Sequence, residues 1–149
     1  MRGKFQADTL LAEATQARRF GRAREARASE VTEDYAELIS DLLAADGEAR
    51  PQSIARRLGV SHVTVVKAIN RLEREGLATA RPYHGVQLTE AGADLARRVR
   101  ARHRLVVDVL LAVGVPQEDA ENDAEGIEHH VSPRTLEAFA RFLDAEHQE

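Results

Sequence analysis

The sequence contains no cysteine, which excludes disulfide staples and any metal site built on thiolates and leaves the redox compartment unmarked. It has no apolar run long enough to cross a bilayer, and its charged N-terminus lacks the short apolar block of a secretory signal. The expectation is a cytoplasmic protein with no membrane partner. Internal repeats and low-complexity segments are also absent. What remains is a chain of 149 residues with 43% hydrophobic content, enough for one domain or two small ones sharing a core.

Positive charge is in overall deficit, with a net charge of −4, and that alone argues against a nucleic-acid partner. Its distribution reverses the argument. Residues 1–104 carry 19 Lys+Arg and 14 Asp+Glu, a net of +5, whereas residues 105–149 carry 2 and 11, a net of −9. A mildly basic front can face phosphates, and an acidic back can attract a cation.

Three segments follow from the patterning. Residues 1–30, with "RRFGRAREAR" at 18–27, read as a helical or partly ordered extension with a solvated basic face; a DNA-touching arm is the alternative. From Val31, the spacing of Tyr35, Leu38, Ile39 and Leu42 predicts a buried helical stripe, capped by Thr32 and ended by Gly47. Residues 31–90 form the second segment and residues 91–149 the third. In the second, Pro51 opens a short helix with Ile54, Ala55 and Leu58 inward. Gly59 makes a tight turn, Ser61 caps a second helix that buries Val65, Ile69 and Leu72, and Gly76 ends it. That is a helix-turn-helix, and "LATARPYHGVQLT" after it reads as two short strands, a wing. The fold class is mainly α with a small β-wing: a winged helix-turn-helix followed by a helical dimerisation domain.

In such a module the N-terminal residues of the second helix reach base edges and flanking groups hold phosphates. The candidates are Ser61, His62, Thr64 and Lys67, with Arg71, Arg81 and His84 nearer the backbone. The bland alternative is a solvated face on another small helical protein. Beyond Thr89 the chain turns helical again, and Val106, Val109, Leu110 and Val113 make a stripe of the kind buried between subunits or domains. Pro116 and Ser132-Pro133 open two further helices.

The stretch "NDAEGIEHH", residues 122–130, carries the other chemistry. Glu125 and Glu128 are three apart and Glu125 and His129 four apart, so on a helix they share a side. Two carboxylates and an imidazole suit a hard or borderline divalent ion, although exposed glutamates without any ion are the commoner case. His103 stands where a basic segment gives way to apolar residues, and a lone histidine there is more often a satisfied core residue than a ligand.

Taken together, "TEDYAELIS", "LGVSHVTVVKAINRLEREGL", "RARHRLV" and "NDAEGIEHHVS" resemble, in order and spacing, the manganese transport regulators of the diphtheria-toxin-repressor family of winged-helix metalloregulators, over roughly residues 31–143. The resemblance implies metal ligands at Asp34, Glu37, His103, Glu125, Glu128 and His129; His130 has no clear counterpart role in it and reads as a supporting or structural residue. The resemblance also implies Mn(II) as corepressor of metal-uptake genes, a homodimer, and a palindromic operator DNA. Iron-sensing relatives typically carry methionine and cysteine where this chain has Asp34 and Glu125, and an all-oxygen-and-imidazole shell fits Mn(II). Four carboxylates suffice to bridge two ions per subunit. The extension before Val31 has no counterpart in the shorter members, and ending at residue 149 leaves no room for the extra C-terminal domain of the iron-sensing relatives. The alternatives are a repressor answering to Fe(II), Co(II) or Zn(II), a winged-helix repressor sensing an organic ligand, and a metallohydrolase. The expectation is a regulator, not an enzyme, with no organic substrate.

Overall fold

The computed structural model describes residues 10–148; the start of the N-terminal extension, residues 1–9, lies outside the described residues. The first element is a single helix, α1, Glu13–Asp46, about 50 Å long at 1.5 Å per residue. Alanines and long-chain residues fill most of its first half and favour helix there, Gly21 being the main exception, so it does not pause at Val31. Thr32 is therefore no cap: it sits mid-helix and is buried, facing a hollow shared with Arg71, Glu75 and Leu95. A threonine ahead of acidic residues carries the local signature of a helix start, and burial against other elements overrides it. The helix ends as the pattern predicts, with Gly47 in the left-handed region donating its N–H to the Leu43 carbonyl.

Next come α2, Pro51–Leu58, and α3, His62–Arg74. Gly59 between them has φ +68°, a conformation that costs a residue with a Cβ and lets the two helices cross closely. Ser61 caps α3, its hydroxyl accepting from the Thr64 N–H at 3.2 Å, a contact worth about 1 kcal/mol. The antiparallel wing follows: β1, Ala78–Arg81, pairs with β2, Gly85–Leu88, in the register Ala78 to Leu88. The wing is pinned to the body where the Val86 N–H donates to the Ala49 carbonyl. Ile39, Ile54, Val65, Leu72 and Val86 fill one core, each large aliphatic adding about 1.5–3 kcal/mol by burial.

Thr89 joins this module to α4, Glu90–Ala112. Its hydroxyl caps α4 and donates to the Gly76 carbonyl at 2.6 Å. At Gly92 a Cβ would lie 2.0 Å from the Leu77 carbonyl oxygen, so only glycine allows α4 to start this close to the wing. Then come α5, Gln117–Ile127, a 3-10 turn over Glu128–His130, and α6, Pro133–Glu146. A second core joins Val106, Val107, Ala120 and Ala124 with Leu136 and Phe139. Leu111, Val113 and Phe142 stay exposed in the single chain. Of the stripe expected to bury between subunits or domains, Val106 and Val109 are buried within the chain, Leu110 is half-buried and Val113 is exposed, so its far end adds to the apolar surface of Leu111 and Phe142.

Candidate metal centre

Four elements converge between the two cores: α1 from the DNA-reading half, α4, the end of α5, and the 3-10 turn. The turn matters. A continuous α-helix through "EGIEHH" would keep the spacing read from the sequence, but the chain tightens after Ile127 and drives both Glu128 and His129 inward.

Glu128 is the hub. It is 0% exposed, and its Oε1 lies 3.5 Å from His103 Nδ1 and 3.4 Å from His129 Nε2. Neither carboxylate oxygen has a hydrogen-bond partner, and both ring nitrogens that face it are equally orphaned. On one side His103, Glu125 and Glu128 bring one donor atom each to within 4.8 Å of one another; on the other Glu30, Asp34 and His129 do the same. His103 Nδ1 stands 3.6 Å from Glu125 Oε1, and His129 Nε2 stands 3.1 Å from Asp34 Oδ1. Five of the six residues expected as ligands thus fall into these two groups. The sixth, Glu37, lines a cavity of about 230 Å³ with Asp34 and Glu125.

The electrostatics describe a place short of positive charge. Burial pushes Glu128 up to about 7; His129 and His103 draw it back only in part, while Glu37 and Glu125 add repulsion. Burial alone would lower His129, but Asp34 and Glu33 outweigh it and push it up to about 10, with the charge of Glu128 adding to the effect. His103 is raised against its own desolvation by Glu121, Glu128 and Glu125. Burial and the charges of Glu125 and Asp41 raise Glu37. Protons are being held where a cation is needed. Uncompensated buried carboxylates cost several kcal/mol each, and orphaned carboxylate and imidazole donors are the donor set of a hard divalent ion. The residues fit such an ion.

Several residues around this centre went unnoticed in the sequence. Glu33 Oε2 accepts a hydrogen bond from His129 Nδ1 at 2.5 Å, which leaves Nε2 as the free donor atom facing Asp34 and Glu128. Arg102 of α4 pairs with the same Glu33 carboxylate. Burial works to raise the Glu33 carboxyl, but His129 and Arg102 together hold it below the usual range. Glu121 takes the other nitrogen of His103, Nε2, at 3.1 Å. Asp41 pairs with Arg100, a second tie between α1 and α4. Asp34, Glu37 and Asp41 already share one face of α1 by their spacing in the sequence, and Glu30 and Glu33 extend that acidic stripe by one turn (i, i+3, i+4, i+7, i+11).

On α3, Ser61, His62, Thr64 and Lys67 are all exposed, as are Arg81 and His84 on the wing. Ser61 and Thr64 also share a hydroxyl contact at 2.9 Å. Arg71 is turned toward the protein, bonded to Glu75 at 2.9 Å and donating to the Ala28 carbonyl of α1. The exposed face includes Val63, Val66 and Asn70, with Val63 62% exposed. Their spacing with Lys67 (63, 66, 67, 70) marks the face opposite Val65, Ile69 and Leu72, a signal present in the sequence. At the wing tip Tyr83 is 93% exposed with φ +70°.

Comparison with known proteins gives this geometry its context. The iron dependent repressor N-terminal DNA binding domain matches residues 27–86, and the iron dependent repressor metal binding and dimerisation domain matches residues 89–148. The transcriptional regulator MntR of Escherichia coli O6:H1 is 50% identical over 123 residues, covering 83% of this chain and 79% of that one. The HTH-type transcriptional regulator MntR of Bacillus subtilis is 36% identical, covering 70% and 74%. Among solved structures, a manganese-dependent transcriptional repressor in complex with manganese superposes with a TM-score of 0.69 at 28% identity. The manganese regulator SloR does so with 0.67 at 29%. Each covers 76% of this chain, and the chain spans about half of their length, 52% and 53%. The winged module that reads DNA and the helices that gather carboxylates and histidines are the two matched domains in their matched order, and the chain belongs to the iron dependent repressor family of transcriptional regulators.

Proposed function

We propose that this protein is a manganese-responsive DNA-binding transcriptional repressor, with Mn(II) as corepressor of metal-uptake genes. The observation that carries it is Glu128: a fully buried carboxylate, orphaned between two histidines whose own neighbours are acidic. The named MntR relatives and the manganese-bound repressor support the same metal. So does the donor chemistry, since Asp34 and Glu125 supply hard oxygens where softer sulfur ligands would favour other ions. The MntR relatives are transcriptional regulators, and the chain is a regulator and not an enzyme.

The ligands we assign are Asp34, Glu37, His103, Glu125, Glu128 and His129, a donor set that would hold two ions per subunit. A bound Mn(II) would supply the positive charge and Lewis acidity that these carboxylates and imidazoles otherwise lack. Asp34 and Glu37 hang from α1, the helix against which the DNA-reading module packs; Glu125, Glu128 and His129 belong to the dimerisation half. Metal-free, the gathered carboxylates repel and loosen α1 from α5, while the pairs Arg102–Glu33 and Arg100–Asp41 hold α1 to α4. In a two-fold dimer the α1–α5 relation sets the separation of the two α3 helices. Reading a palindromic operator requires about 34–36 Å, one DNA turn, or a multiple of it. A coupling of about 1–3 kcal/mol is enough to change DNA affinity 5–150-fold. No described helix is long and apolar enough to cross a membrane, and we place the protein with its operator in the cytoplasm.

At the DNA surface, His62, Ser61 and Thr64 lie at the N-terminal end of α3 for base edges, Val63 and Val66 suit thymine methyls, and Asn70 suits adenine. Arg81 is assigned to phosphates, and so is Lys67, which the sequence grouped with the base-edge residues but which lies beyond the first turn of α3. Lys67→Ala should weaken operator binding, lower the salt slope by about one, and leave Mn(II) affinity unchanged; a salt-dependent binding series beside a metal titration checks both. The function itself is tested by operator binding across buffered Mn(II), Fe(II), Co(II) and Zn(II) after chelation. Tightening by Mn(II) is expected, and equal binding with and without metal defeats the proposal.

A further inference from the structure

The helical extension that precedes the resemblance is not idle. Glu30 stands one turn before Asp34 on α1, on the same face. Its carboxylate reaches the group formed with Asp34 and His129, each residue offering a ligand atom within 4.8 Å of the others. His129 is 7% exposed, and its Nε2 is buried with no hydrogen-bond partner, so an unsatisfied imidazole donor points into the same space. The Nδ1 of that ring is already committed to Glu33, which fixes Nε2 as the atom facing outward to the two carboxylates. From the far side His130 Nε2 meets Glu30 Oε2 at 3.4 Å, and this contact restrains the carboxylate. Further up the extension, Arg19, Arg22, Ala23 and Ala26 line one cavity with His129 and His130, so the first half of α1 covers the back of the centre.

We propose that Glu30 is a metal ligand: with Asp34 and His129 Nε2 it completes the cation site on the α1 side of Glu128, with His130 positioning its carboxylate. This rests on the manganese reading above and makes the extension part of the sensor. The group presents two carboxylate oxygens and one imidazole nitrogen, a set that takes a hard divalent ion. Within the chain it answers two loose ends at once: a histidine without a role, and an acidic residue outside the expected ligand set.

The test is direct Mn(II) titration of the full chain by calorimetry and by Mn(II) electron paramagnetic resonance, with Glu30→Gln and Glu30→Asp beside the wild type. The wild type should take up two ions per subunit. Glu30→Gln should weaken one of them roughly 10–100-fold and leave the other, at His103, Glu125 and Glu128, unchanged, with metal-free helicity and Tm preserved. Glu30→Asp keeps the charge but withdraws the oxygens, and it should weaken the same ion. Wild-type affinities in both variants overturn the assignment. So does wild-type affinity in Glu30→Asp alone, because Glu30 then acts only through its charge. A wild type that binds no Mn(II) instead overturns the manganese reading beneath it, so the two failures are told apart.

Discussion

Glu128→Gln is expected to make the metal-free protein more stable and the metal response disappear. The substitution preserves shape and removes a charge. In the metal-free chain that charge is fully buried, and both carboxylate oxygens lack partners. Burial is the largest influence on it, and the histidines offset that only partly. A carboxyl pushed up to about 7 costs the fold stability as pH rises from its ordinary value toward 7, so a neutral amide of equal size should raise the metal-free Tm by a few degrees at and above neutral pH and leave it nearly unchanged near pH 4. Wild-type protein in saturating Mn(II) should gain stability through linkage, about 2.7 kcal/mol at a hundredfold excess over Kd; the variant should gain almost none. Operator binding should fall to the metal-free level. Thermal melts with and without Mn(II), run on both proteins, read all of this. A variant that is destabilised without metal and still shifts with Mn(II) would falsify the placement of Glu128 at the hub.

How far this centre could be read from the sequence depends on how local each contact is. The helix-turn-helix was legible because Val65, Ile69 and Leu72 repeat at helical spacing and the punctuation of Gly59 and Ser61 is local. The wing was legible for the same reason. Thr32 misled because cap chemistry is judged from a few residues, whereas its burial is decided by α3 and α4. The ligand residues on "EGIEHH" were visible as a cluster, yet nothing in their spacing shows that the chain tightens into a 3-10 turn after Ile127. Arg102 and Glu33 are 69 positions apart, and His129 and Glu33 are 96 apart. No periodicity connects such pairs; only the packing of α1 against α4 does. The resemblance supplied the residues expected as ligands but not the groups that orient them.

Those orienting groups give the second large effect. Glu33→Ala should lower Mn(II) affinity roughly 10–100-fold, the usual penalty for removing the partner of a metal-ligating histidine, although Glu33 lies outside the two donor groups themselves. The carboxylate accepts from His129 Nδ1 and so commits Nε2 to the side of Asp34 and Glu128. Without it the ring is free to rotate or to carry its proton on Nε2, and the buried donor atom is lost to the site. Arg102 holds Glu33 from α4, so Arg102→Ala should follow in the same direction with a smaller effect, and the double variant should lose less than the sum of the two. The distinguishing measurement is the ring itself. Nitrogen NMR of metal-free His129 should report an imidazolium, with protons on both nitrogens, persisting up to about pH 10 in the wild type; in Glu33→Ala the ring should lose a proton at lower pH and then interconvert between its two neutral tautomers. If affinity falls while the neutral ring keeps one tautomer, Glu33 acts through its charge alone. If neither changes, the contact between α1 and the 3-10 turn is incidental, and the coupling between DNA-reading and dimerisation halves must run through Asp34 and Glu37 without help.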